Sequence, residues 1–301
     1  MTRVLVTGAS GFVGFPVVTE LARRGHDVHA ITSRTAPAGG GGVTWHQGDL
    51  AARGGVDALV AGIAPEALVH AAWYVEPGRF WTAVENVDWV GRSLSLLRAF
   101  VAAGGRRAVL LGTCAEYDWT EPQEFLAELG SPLGPATLYG SAKDGLRRVA
   151  GAYAAQAEIE LAWGRLFFLY GPREQPARLV PAVVRSLLRG ESVATTSGAQ
   201  VRDLLHVDDV AGAIVALLES AAVGPVNIAS GSGVTLREVI GEVAALVGRP
   251  ELVRFGELPE RPGEPERLVA DVTRLRAEVG YHPRLTLAEG LAATVEWWRS
   301  A

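Results

Sequence analysis

The feature that most constrains the fold is the opening of the chain. Arg3-Val-Leu-Val-Thr7 is a short apolar run of the kind that forms a buried strand. It passes directly into Gly8-Ala9-Ser10-Gly11-Phe12-Val13-Gly14, and an amphipathic helical pattern follows through Leu21 and Ala22 to Arg24. A strand, a glycine turn and a helix N-terminus in that order make a cradle for a dinucleotide pyrophosphate. The glycines admit the phosphates to the backbone, and the helix end offers free N–H groups and a positive dipole. The spacing is Gly-x-x-Gly-x-x-Gly rather than the more general Gly-x-Gly-x-x-Gly. Gly8, Ser10, Gly11, Phe12, Val13 and Gly14 are the expected phosphate-side residues.

Strand and helix patterns then alternate. Strands are expected at Val28–Thr32, Val43–Gln47, Ala67–His70, Val109–Leu111 and Leu161–Phe168, with helices at about 80–103 and 139–157. This alternation predicts an α/β, doubly wound, parallel Rossmann-like sheet. From Gly171 the pattern changes. A helix near Leu179–Arg189, a strand near Val193, a strand over 200–207, a helix capped by Asp208, a strand at Pro225–Ile228 and a helix capped by Thr235 follow. The expected organisation is a dinucleotide-binding domain over 1–170, to which 200–225 returns, and a smaller α/β substrate lobe formed mainly by 171–301.

The ends of the strands carry the chemistry. The second ends in Thr32-Ser33-Arg34, where an enzyme preferring NAD usually places an acid. With no acid there, Ser33 and Arg34 can bind a 2′-phosphate, which predicts NADP(H) over NAD(H) unless Arg34 points into water. A glycine-rich, mobile loop is expected over 37–42. Asp49, followed by Leu50, ends the third strand and can reach the adenine amino group. Ala71 and Ala72 are small enough for a cofactor to lie close. Trp73 and Tyr74 either wall a substrate pocket or pack in the core. Thr113 ends the fifth strand.

Tyr139-Gly-Ser-Ala-Lys143 contains the chain's single lysine among 28 basic residues. In a helix, Tyr139 and Lys143 share a face. An ammonium there stabilises phenolate and lowers the tyrosine pKa, unless the lysine simply lies on a solvated face. The rest of the composition excludes several functions. A net charge of −5 without a basic stripe makes nucleic acid an unexpected partner. One cysteine, Cys114, excludes a disulfide framework and a thiolate metal site. No signal peptide or membrane span is visible, so a soluble cytoplasmic protein without a membrane partner is expected.

Taken together, the chain resembles the extended short-chain dehydrogenase/reductases that act on nucleotide-activated sugars. The resemblance covers nearly the whole length and rests on Thr7–Gly14, His70-Ala-Ala72, Asn86, Thr113, Tyr139-x-x-x-Lys143, Arg165–Pro172, Arg202-Asp203, His206–Asp209, Asn227-Ile228 and Arg261–Glu264. It implies a catalytic group of Thr113, Tyr139 and Lys143, with Tyr139 protonating the substrate oxygen and Lys143 holding the nicotinamide ribose. It further implies that Arg202 and Arg261, with Arg178 in support, grip a substrate diphosphate, that Asn227 contributes to the substrate site, and that the chain is a homodimer through the helices near 80–103 and 139–157. Sugar 4,6-dehydratases of this family resemble Thr-Asp-Glu at the triad hydroxyl. Here the residues are Thr113-Cys114-Ala115, and Phe168 stands where many relatives have Asn. The expected activity is NADPH-dependent reduction of a nucleotide-linked 4-keto-6-deoxyhexose. A nucleotide-sugar 4-epimerase, a reductase of a non-sugar carbonyl and a non-catalytic cofactor sensor are the alternatives.

Overall fold

The structure is a computed structural model that describes residues 1–37, 41–52 and 56–301. Residues 38–40 of the expected glycine-rich loop lie outside the described residues.

Seven parallel strands form the main sheet. They are β1 (Arg3–Thr7), β2 (Asp27–Thr32), β3 (Val43–Gln47), β4 (Ala67–His70), β5 (Arg107–Thr113), β6 (Glu160–Leu166) and β10 (Gly224–Ile228), in the order β10-β6-β5-β4-β1-β2-β3. The reversal of order beside β1 opens a crevice at the strands' carboxyl ends, where ligands of such sheets bind. Strand alternation divides the core. Val4 and Val6 of β1 face one side, with α1 (Gly14–Arg23) and α6 (Val207–Glu219). Leu5 faces the other, with α2 (Asp57–Ile63), α3 (Glu85–Ala102) and α4 (Leu138–Gln156). Every residue of β4 and β5 is buried, as expected for strands covered by helices on both faces.

The remaining elements are β7 (Phe168–Tyr170), α5 (Leu179–Leu188), β8 (Val193–Thr195), β9 (Val201–His206), β11 (Gly233–Thr235), α7 (Leu236–Val247), β12 (Val253–Phe255), β13 (Arg267–Leu268), α8 (Thr273–Ala277) and α9 (Leu287–Ser300). β9 pairs with β7, β11 and β13, and β8 pairs with β12. A separate apolar cluster joins α5, α7 and α9 through Val184, Leu187, Ile240, Val243, Leu291 and Val295.

Several expected boundaries are corrected. The helix expected from Phe80 begins at Glu85, leaving Phe80 and Trp81 in turns. The strand expected over 161–168 is two strands, because the chain leaves the main sheet after Leu166 and pairs with β9 from Phe168. His206, not Asp208, caps α6, its Nδ1 accepting from the Asp208 N–H at 3.3 Å.

Candidate active site

The glycine turn is as tight as its composition requires. Gly8 has φ +69°, and its carbonyl accepts from the Gly11 N–H at 2.9 Å. A β-carbon on Gly14 would fall 2.1 Å from that carbonyl oxygen. α1 begins with Val13 at its cap, no side chain capping it and no acid in its first turn. Phe15 donates to the Gly11 carbonyl at 3.0 Å and Pro16 has no N–H, which leaves the Val13 and Gly14 N–H groups for a ligand, and an anion is the ligand the dipole favours. The Ser10 hydroxyl bonds that of Thr32 at 2.9 Å, which ties the turn to β2. Ser33 and Arg34 beyond it are exposed. Asp49 is exposed after β3, with one carboxylate oxygen accepting from the Ala51 N–H, and Leu50 packs against the α2–α3 side. Ala71 donates to the Thr7 carbonyl, and Ala72 lies directly against Gly8. These residues form one cradle that suits a dinucleotide.

Thr113 leaves β5 as the cap of a 3-10 turn over Cys114–Glu116, and its hydroxyl accepts from the Ala115 N–H at 3.2 Å. α4 starts beside that turn, capped by Thr137. Contact is close because position 140 is glycine: a β-carbon there would lie 2.3 Å from the Ala115 carbonyl oxygen. The approach brings the Tyr139 phenol to face the Thr113 side chain. Phe80 and Trp81 meet the Tyr139 ring edge-on, with centroids 5.0 and 5.8 Å away. Burial pushes the phenol well above its usual range, Thr113 pulls it down, Cys114 and Glu116 push it up, and Arg178 pulls it down.

Lys143 lies one turn along α4, 5% exposed. Its ammonium donates to the Leu111 carbonyl at 2.8 Å and sits 3.7 Å from the centroid of Trp73. Burial lowers its pKa to about 7, and the Glu116 charge opposes that fall. The ammonium thus rests on a carbonyl and a ring face, and Arg178 is a cation that lowers the phenol pKa. Trp73 is neither a free pocket wall nor core packing alone. Its indole N–H donates to Asn86 Oδ1 at 2.8 Å, and Asn86 in turn donates to the Phe80 and Ala83 carbonyls.

Arg202 reaches the same region from β9. It is 4% exposed, lies close enough to Cys114 for each to influence the other's ionisation, bonds Glu264 at 3.0 Å and stands 5.4 Å from the Phe168 ring. Arg178 is exposed, 5.9 Å from the Phe80 ring. Arg261 is exposed in the loop that Glu264 fastens to Arg202. Asn227 is a correction. It is fully buried, accepts from the Tyr117 phenol, and donates to the Leu126 and Asp271 carbonyls, so its amide braces the loop rather than facing a ligand. Burial drives the Cys114 thiol up to about 12, which makes it inert.

Two further buried groups brace the site, neither of them among the site residues expected from the sequence. Glu116 is fully buried and bonds the Thr113 N–H, the Trp163 indole and Arg165. Its Thr-x-x-Glu spacing is a capping-box signature that sequence reading can find. His70 links Thr7 to Ser93 at 2.6 and 2.8 Å, and burial lowers its pKa to about 3, so it is a neutral brace across β1, β4 and α3. Its role depends on packing and has no local signature.

Comparison with known proteins agrees with this geometry. Residues 4–229 match the NAD dependent epimerase/dehydratase family. A UDP-glucose 4-epimerase of Mycolicibacterium smegmatis is 29% identical over 318 residues, 99% of each chain. A dTDP-glucose 4,6-dehydratase of Streptomyces griseus is 30% identical over 320 residues, 99% of this chain and 94% of the relative. The solved structure of MoeE5 in complex with UDP-glucuronic acid and NAD is 32% identical, covers 99% of both chains and superposes with a TM-score of 0.84. The glycine cradle, the Thr113–Tyr139–Lys143 corner and these similarities together place the chain in the NAD dependent epimerase/dehydratase family, as an NAD(P)-dependent enzyme that modifies nucleotide sugars.

Proposed function

We propose that the chain is a nucleotide-sugar 4-epimerase, interconverting a secondary alcohol and its ketone at C4 of the sugar and returning the hydrogen to the other face. One observation carries the reading. Thr113 and Tyr139 meet at the crevice, while positions 114 and 115 hold an inert thiol and a methyl group where a dehydratase needs two acids. Elimination and epimerisation at neighbouring carbons both need a further proton-transfer group there. Epimerisation at C4 needs one. The names of the similar 4-epimerases support the same choice.

A nicotinamide dinucleotide bound in the cradle supplies the hydride chemistry. The Gly8–Gly14 turn, with the Val13 and Gly14 N–H groups, would hold its pyrophosphate, and Lys143 would hold its ribose. The Tyr139 oxygen takes the proton from the C4 hydroxyl and returns it, with the Thr113 hydroxyl sharing that hydrogen bond. Phe80 and Trp81 keep water from the phenol. Arg202 and Arg178 offer charge to the substrate diphosphate, and Arg261 adds to it from its loop.

The decisive experiment supplies UDP- and dTDP-linked hexoses to the purified protein and follows C4 inversion, together with the identity of any co-purified nicotinamide nucleotide. Inversion with tightly held NAD is the expected result, and no change in any nucleotide sugar would sink the proposal. Tyr139→Phe is expected to cost about 10²–10⁴-fold in kcat. A second reading, NADPH-dependent reduction of a nucleotide-linked 4-keto-6-deoxyhexose, is favoured by Ser33 and Arg34, both exposed at the end of β2 without an acid beside them. Stoichiometric oxidation of added NADPH by dTDP-4-keto-6-deoxyglucose, with no C4 inversion, would select it.

A further inference from the structure

Directly beneath the candidate site lies a buried negative charge that the proposed chemistry does not use. Glu116 is fully buried, and its carboxylate accepts from the Thr113 N–H at 2.9 Å, the Trp163 indole at 2.9 Å and Arg165 Nε at 2.7 Å. Arg147 of α4 stands 3.9 Å away. We propose that Glu116 is the positioning residue of the site: its carboxylate fixes the turn that presents the Thr113 hydroxyl, and its charge lies against α4, the helix that carries Tyr139 and Lys143.

Geometry supports the first half. Two of the capping-box bonds run between Thr113 and the 3-10 turn, so the backbone angles that aim the hydroxyl depend on the Glu116 side chain. Electrostatics supports the second. Burial strips water from Lys143 and favours loss of its proton, and the Glu116 charge works against that loss. The same charge disfavours phenolate at Tyr139. The groups around the carboxylate are Arg165 from β6, Arg147, Lys143 and Tyr139 from α4, and Cys114 on its own turn; the Tyr117 phenol accepts from Arg165, and the neutral His70 of β4 adjoins Lys143. A carboxylate here keeps the proton on the ammonium that grips the ribose.

The inference rests on the proposed roles of Tyr139 and Lys143. Its test uses the pH profile of kcat/KM on a nucleotide sugar and, independently of turnover, the pH dependence of the Kd for NAD or NADPH followed by tryptophan fluorescence. Glu116→Gln keeps the shape and removes the charge. Glu116→Gln with Arg165→Met removes both members of the buried pair, so that no guanidinium is left unmatched. In Glu116→Gln the limb lost as pH rises through the Lys143 ionisation is expected to move to lower pH by about half a unit or more, and in the double variant, which also removes a positive charge, by less in the same direction. Glu116→Asp should restore it toward the wild-type position. A lower rate with the limb unmoved in both variants would reduce Glu116 to a structural brace and overturn the proposal. If the wild-type chain alters no nucleotide sugar, the functional reading fails, and the cofactor Kd profile still decides for or against Glu116.

Discussion

At Glu174 the fold keeps a carboxyl where water cannot reach it. The residue is 5% exposed, Oε2 has no hydrogen-bond partner among the described residues, and Arg178 is 3.9 Å from Oε1. Burial raises its pKa from 4.5 to about 8, against the smaller opposing effects of Arg178 and the Gly171 backbone. In the unfolded chain the same group ionises near 4.5. Between those values the folded state holds a proton that the unfolded state has released, so stability falls as pH rises from about 4.5 to about 8, and the full penalty is present above that. Glu174→Gln is therefore expected to stabilise the protein by about 1–3 kcal/mol at pH 8.5 and to change little at pH 4.5. Denaturant titrations at the two pH values check this, and an equal effect at both would refute it. Lys143 displays the same limit of sequence reading. Its uniqueness and its spacing from Tyr139 were legible, but the carbonyl of Leu111 and the face of Trp73 that receive its ammonium were not. Those partners come from β5 and from the segment after β4, and no local pattern reports how deep a side chain will sit.

Among the elements, the strand–turn–helix opening was legible almost to the residue, because glycine at 8 and 14 answers a backbone demand that no other residue meets. Gly14→Ala places a methyl group against a backbone carbonyl that cannot move aside. It is expected to weaken NAD or NADPH binding by at least about tenfold, since a displacement of that size breaks the backbone approach to phosphate. Gly241→Ala in α7 is the contrasting case. A β-carbon there meets nothing within 4 Å and the residue is helical, so a gain of about 0.5–1 kcal/mol is expected in thermal unfolding with cofactor affinity unchanged. Element boundaries were less legible where tertiary pairing sets them. The apolar run Leu161–Phe168 reads as one strand, yet the Phe167 N–H goes to the Ile228 carbonyl and Phe168 begins a new pairing with Leu204. Periodicity describes the strand but not its partner.

Across the whole molecule, the order of the motifs carried the fold class and the family, while the assignment of polar side chains to site or scaffold needed three dimensions. Arg202 and Asn227 look alike in sequence, each within an expected strand of the second half. Arg202 reaches the Cys114 region, whereas Asn227 is consumed by Tyr117, Leu126 and Asp271. The same view makes a prediction about assembly. α3 and α4 pack on each other over one face of the sheet and leave Val84, Val87 and Val149 at 71, 57 and 51% exposure. Apolar side chains on paired helices are stabilised by burial at about 25 cal/mol per Å², and a symmetric second copy offers the same face in return. The chain is expected to run in light scattering at twice its mass of 31.8 kDa. Val87→Glu, which sets a charge on that face without touching the core, is expected to shift it to the single-chain mass with the melting temperature lowered only by the loss of association. A wild-type chain that stays at 31.8 kDa at tens of micromolar would refute the dimer, and a Val87→Glu variant that still dimerises would move the interface away from α3.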